Sequence, residues 1–437
     1  MDSCLERIEG LEPRLRAWAF LDPSLPRREA KRTDERRAKG EPCGALEGAP
    51  VGVKDIFNTA EMPTEMGSVL WKGFTPGNDA RVVAALKLHG GIVMGKTVTS
   101  EFAVHAPGPT LNPHDPARSP GTSSSGSVAA VATGMVPLAL GSQTAGSTIR
   151  PASYCGIYGF KPSFGLVPRT GMLKTTDTLD HVSFFARSID DLRLIFDLAR
   201  VRGSNHPVVQ QRVDATADEP APSRWRIGFA RGPKWDQARP YAREALERFA
   251  GRLARVRGVS VIDLDLPSDF SRIHDLHQRI YCRALAYYFK TELRNSGALS
   301  ESFRSMVAEG EKVGPSEYRD CIEFQAKASQ ELDHLLEKKG LDLLINLSTG
   351  SEAPLGLEGR DLPDNCLIWT FCGVPALNVP AFTSPSGLPF GAQLVGRKYG
   401  DYPLLQFARS LTREGLLEER SPAEAVQRET AMTESRS

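Results

Sequence analysis

Two serine clusters in glycine-rich turns, Gly121–Ser127 and Gly141–Ser147, and one lysine at the end of an apolar run, Val51-Gly-Val-Lys-Asp55, are the parts of this chain that point to chemistry. In the second turn an apolar stretch ends, small residues let the backbone bend tightly, and Ser147 opens what reads as a helix, with Pro151 tolerable only in its first turn or outside it. Such a turn aims several backbone N–H groups at one point, a site suited to an anion. In acyl transfer that anion is the oxygen of a tetrahedral intermediate, and each donor is worth roughly 3–4 kcal/mol.

A serine nucleophile needs a base. Histidine is the usual partner, and Asp180-His181 is the best such pair, but no Gly-x-Ser-x-Gly elbow accompanies it. His274 and His277 lie three apart without a third ligand, which reads as helix surface and not as a metal site. Lys54 is the alternative. Carried inside by Val51-Gly-Val53, its ammonium group loses hydration and its pKa falls, and a neutral amine accepts a proton. The plainer reading of Lys54 is an ion pair with Asp55.

The elements that must position these groups alternate. Apolar, glycine-bounded runs at Leu46–Asp55, Ile92–Met94 and Met135–Leu140 read as buried strands. Helical spacing marks 4–19 and the segment from Asp79 to Gly90, and the Ala- and Gly-rich 125–134 reads as a closely packed helix. A polar, Pro-containing stretch at 203–223 reads as a loop. Strands return at Trp225–Ala230, 259–265, Leu341–Leu347, Ala376–Val379 and Gly391–Val395, with helices at 240–256, across most of 270–340 and at 402–413. This alternation argues for an α/β layered architecture. Gly90-Gly-Ile-Val-Met-Gly-Lys-Thr97 matches the P-loop pattern in letters, but a helix precedes it and a strand fills its middle, the reverse of the required context.

With 54 basic and 53 acidic residues the net charge is +1, which gives no drive toward nucleic acid or membrane. No apolar run approaches a membrane span, no signal-peptide core is evident, and seven scattered cysteines suggest reduced thiols, so a cytoplasmic location is expected.

Together these segments resemble the amidase signature family. Gly44-Ala-Leu-Glu-Gly-Ala-Pro-Val-Gly-Val-Lys-Asp55 is similar to its lysine segment. Arg118-Ser-Pro-Gly-Thr-Ser-Ser-Ser-Gly-Ser127 is similar to its serine turn, and Gly146-Ser147 with Cys155-Gly156 and Gly159-Phe-Lys-Pro162 to its nucleophile segment. Ser123 and Ser147 stand 24 positions apart, and similarity returns at Asn365–Arg397. The resemblance implies a single amidase signature domain over 1–420, a central mixed β-sheet covered by helices on both faces. Within it 44–187 is the catalytic core, 200–340 a variable substrate-shaping region, and 421–437 an expected disordered tail.

It implies Ser-cisSer-Lys catalysis on a small-molecule amide, with Ser147 as nucleophile, Ser123 as bridging serine behind a cis Thr122–Ser123 bond, and Lys54 as base. The oxyanion hole would be the backbone N–H groups of Thr144, Ala145, Gly146 and Ser147. No metal or organic cofactor is implied, and a homodimer is.

Gln143 stands where the family usually has Asp, Ala145 where it has Gly, and Thr122 replaces a glycine. Arg150 resembles the malonamidase-like branch, where an arginine meets a substrate carboxylate; the other reading is an arginine bracing its loop. Arg150, Ser124 and Gln143 are thus the candidate substrate-binding residues. The function expected is hydrolysis of a small linear carboxamide, with an anionic or polar acyl group such as malonamate. The alternatives are biuret- or allophanate-type ureas, aryl amides, and the glutaminase-type subunit of an amidotransferase.

Overall fold

The structure is a computed structural model of the chain, and it describes residues 1–203, 206–357, 362–418 and 421–422. The expected tail at 421–437 lies, apart from Ser421 and Pro422, outside the described residues.

Among the described residues eleven strands form one mixed sheet. They are β1 (Trp18–Phe20), β2 (Pro50–Lys54), β3 (Ile92–Thr97), β4 (Leu138–Gln143), β5 (Tyr158–Lys161), β6 (His181–Ala186), β7 (Trp225–Ala230), β8 (Val259–Leu264), β9 (Leu343–Leu347), β10 (Ala376–Thr383) and β11 (Pro389–Gly396). Their order across the sheet is β1-β3-β2-β4-β6-β5-β10-β11-β9-β7-β8. β2 runs parallel to both β3 and β4. β6 runs antiparallel to β4, and β5 antiparallel to β6.

Side-chain alternation splits the core into two faces. Val51, Val53, Leu138, Leu140, Phe184 and Leu377 face a cluster with the helices Arg81–Leu88, Ile189–Ala199, Pro240–Leu253 and Asp401–Arg413. Ala139 and Phe185 face the opposite side, under the helices Ser125–Ala132 and Ile149–Cys155. Farther along, Leu344, Ala376 and Val395 meet the helices Ile273–Tyr288, Glu301–Lys312, Pro315–Lys339 and Cys366–Phe371. The sheet is therefore covered on both sides.

Strand and helix positions read from apolar periodicity agree with the structure to within a few residues at β2, β3, β4, β7, β8, β10 and β11. The stretch 4–19 instead splits into the helix Asp2–Leu15 and edge strand β1, because Arg16 takes a left-handed conformation (φ 53°) that ends the helix. The stretch 203–223 is not all loop; short helical turns run from Pro207 to Ala217.

Candidate active site

The small side chains of Ser125–Ala132 have a structural cause. All eight residues are buried. A Cβ on Gly126 would lie 2.2 Å from the Ala17 carbonyl oxygen and 2.3 Å from the Val98 nitrogen, so only glycine lets the helix approach the ends of β1 and β3 this closely. Ser127 fixes the approach with a hydrogen bond from Oγ to the Leu140 carbonyl at 2.7 Å. The turn that precedes the helix is thereby pressed against the C-terminal end of β2, where Lys54 emerges.

Lys54 is fully buried. Its Nζ lies 2.6 Å from Ser123 Oγ, 2.8 Å from Ser142 Oγ and 3.0 Å from Ser124 Oγ. It makes no ion pair among the described residues; the neighbouring Asp55 pairs with Lys96 Nζ instead, at 3.1 Å. Burial pushes the Lys54 pKa well below 10.5, and the charge of Asp180 opposes that shift in part. The Thr122–Ser123 peptide bond is cis.

Ser147 stands on the turn between β4 and the helix Ile149–Cys155 and is partly exposed. Among the described residues its hydroxyl has no hydrogen-bond partner, Ser123 included. The backbone N–H groups of Thr144, Ala145, Gly146 and Ser147 likewise donate to no acceptor among the described residues. Three carbonyls of the same turn are engaged. Thr144 O accepts from His277 Nε2 at 2.8 Å, Ala145 O from Thr370 Oγ1 at 2.8 Å, and Gly146 O from the Arg150 N–H at 2.9 Å. Asp180 Oδ1 accepts from the Thr144 hydroxyl at 2.8 Å and from the hydroxyls of Thr175 and Thr176.

The candidate substrate-binding residues have other employment. Gln143 is fully buried; its Oε1 accepts the N–H groups of Thr148 and Ile149 at 2.9 and 3.0 Å, capping the next helix, and its Nε2 donates to Thr370 Oγ1 at 3.0 Å. Ser124, also fully buried, spends its hydroxyl between Lys54 and the Ser142 carbonyl. Arg150 donates from Nε to Asp364 Oδ2 at 2.9 Å, and its guanidinium lies over Gly146, where a Cβ would sit 2.8 Å from Nη2.

Two readings of histidine change. His277 is 2% exposed, so it is interior and not helix surface. His274 is mostly covered and its Nε2 bonds the Asp364 carbonyl at 2.8 Å. Spacing along the helix Ile273–Tyr288 gives no hint, because the contact from His277 to Thr144 spans 133 positions. His181 holds the Leu179 carbonyl through Nδ1, and burial lowers its pKa well below 6.5, with Lys161 adding to the shift. The P-loop letters fall on β3, with Lys96 donating to Thr64 and to the Pro63 carbonyl. No group of side chains fit to hold a metal occurs among the described residues, nor does any helix long and apolar enough to cross a membrane.

The fold has close parallels. The chain matches the family model described as Amidase over residues 1–405. This protein belongs to the amidase family. It is 30% identical to the glutamyl-tRNA(Gln) amidotransferase A-subunit of Chloroflexus aggregans, over 93% of this chain and 90% of that protein. A solved amidase is 26% identical with a TM-score of 0.83, covering 95% of each chain. The native peptide amidase of Stenotrophomonas maltophilia is 25% identical with a TM-score of 0.81, covering 96% of this chain and 94% of that one. Like the amidases it resembles, this family member is a hydrolase acting on carbon–nitrogen bonds of amides other than peptide bonds.

Proposed function

We propose that this amidase hydrolyses a small, linear carboxamide through an acyl-enzyme on Ser147, with Ser123 as relay and Lys54 as base. One observation carries the reading: a fully buried amine, 2.6 Å from Ser123, whose partners among the described residues are three hydroxyls and no carboxylate. A neutral amine offers two N–H donors and one lone pair. Ser124 gives its own proton to the Ser142 carbonyl and so accepts from Nζ, and the Ser123 hydroxyl is placed to donate to the lone pair.

Ser147 Oγ attacks the amide carbon, its proton passes to Ser123, and the Ser123 proton passes to Lys54. The oxyanion meets the unspent N–H groups of Ala145, Gly146 and Ser147. As the carbon–nitrogen bond breaks, the proton returns through Ser123 to the leaving ammonia or amine. Water repeats the sequence on the ester and releases the carboxylate. Substrate brings Ser147 into the relay, which tightens from its open spacing in the free chain.

The Arg150–Asp364 pair supports the bracing role for Arg150. A guanidinium already held by a buried carboxylate favours a neutral or polar acyl group over an anionic one such as malonamate. The similarity to amidotransferase subunits supports a second reading, in which the chain passes ammonia to a partner. Hydrolysis of malonamate, a biuret-type urea, an aryl amide, glutamine and short aliphatic amides by the isolated protein tests both. Turnover of a neutral amide without any partner, lost in Ser147→Ala, is the expected result; turnover of glutamine alone, and only with a partner present, would overturn the first reading in favour of the second.

A further inference from the structure

Three consecutive peptide planes form the turn 144–147, and each is gripped from its carbonyl side. In a trans peptide unit the C=O and N–H point in opposite directions. Fixing the Thr144 carbonyl therefore aims the Ala145 N–H, fixing Ala145 O aims the Gly146 N–H, and fixing Gly146 O aims the Ser147 N–H. None of these three N–H groups has an acceptor among the described residues. Two of the grips come from far along the chain, Thr370 on the helix Cys366–Phe371 and His277 on the helix Ile273–Tyr288.

We propose that His277, on the helix Ile273–Tyr288, is a positioning residue that holds the Thr144 carbonyl and so directs the Ala145 N–H at the oxyanion. The inference rests on the functional reading above. A carbonyl only accepts, so Nε2 carries the proton. Burial drives the His277 pKa down to about 4, which keeps the ring neutral over the range in which an amine base works. The ring is interior and stacks edge-on against Tyr281 at 6.0 Å between centroids, so its orientation is set by packing. The Thr144 hydroxyl is held independently by Asp180, which leaves the carbonyl grip to His277.

The test uses two side-chain amides of similar polarity. In His277→Gln the amide nitrogen reaches the place of Nε2; in His277→Asn it stops at the place of Nδ1. The probe is a fluorophosphonate, which reacts at the serine and places its phosphoryl oxygen in the oxyanion turn. His277→Asn is expected to slow the maximal inactivation rate about 30-fold, with the concentration for half-maximal rate changed less than about twofold, since an oxyanion donor acts in the transition state. His277→Gln is expected to stay within about threefold of the unaltered protein. Equal rates in the two variants, or a loss confined to the half-maximal concentration, would overturn the inference while leaving the Ser147 mechanism intact. An unaltered protein that is never labelled would overturn the functional reading and this inference with it. Should neither variant fold, Thr370→Val tests the neighbouring plane by the same readout, and an unchanged inactivation rate there counts equally against the carbonyl-grip mechanism.

Discussion

Two lysines emerge from neighbouring parallel strands, and both are fully buried: Lys54 on β2 and Lys96 on β3. Burial lowers the pKa of each. Their partners differ. Lys96 meets the Asp55 carboxylate, the Thr64 hydroxyl and the Pro63 carbonyl, and the charge of Asp55 works against its deprotonation. Among the described residues Lys54 meets only serine hydroxyls. By taking Asp55 away from Lys54, Lys96 leaves the second amine free to be neutral. Burial supplies the pKa shift, and the absence of a carboxylate within ion-pair distance, among the described residues, preserves it.

Replacing each lysine by methionine, similar in length, should separate the two roles. Lys54→Met is expected to lower kcat/KM about ten-thousandfold, as loss of a catalytic group acting in a unit does. Because an apolar chain replaces a desolvated amine, its urea denaturation midpoint should shift little. Lys96→Met is expected to do the reverse. It leaves Asp55 buried without its cation, costing about 3–5 kcal/mol in urea unfolding, while folded protein keeps kcat/KM within about threefold. Adding Asp55→Asn to Lys96→Met should recover much of that stability.

The pH dependence sharpens the same contrast. The neutral amine is the reacting form, so kcat/KM should rise with pH along a single deprotonation and level off below 10.5. The ascending limb should persist in Lys96→Met. Stability follows the same sign: between the lowered Lys54 pKa and 10.5 the unfolded chain holds a proton that the folded chain does not, so the contribution of Lys54 rises with pH through that window. The smallest effect is expected from Ser124→Ala. Removing one of three hydroxyls from Nζ should reduce kcat/KM about fivefold to tenfold, equivalent to about 1–1.5 kcal/mol.

Local signals make part of this arrangement readable from the chain. Val51-Gly-Val53 marks a strand that must bury the side chain at its end, and the small residues of 125–132 mark a helix in close contact. Gly141–Ser147 marks a tight turn with exposed donors. The β5 and β6 strands and the small edge strand β1 are not evident, since short buried runs such as Tyr158–Lys161 lack a period that separates them from loop or helix. Long-range partners are also hidden. Nothing near Arg150 names Asp364, and nothing near Thr144 names His277; only the packed helices bring them together. Gln143 reads as a binding residue, yet its amide oxygen accepts two N–H groups of the helix start and its nitrogen donates to Thr370.

The protonation state of Lys54 itself is the most direct test. In protein labelled with carbon-13 at the lysine side chains, the resonance absent from Lys54→Met identifies the residue and can be followed against pH. The account predicts that it titrates well below 10.5 and reports a neutral amine where kcat/KM is at its plateau. A Lys54 resonance that stays protonated until the pH reaches 10.5, while the enzyme is already fully active, would contradict it.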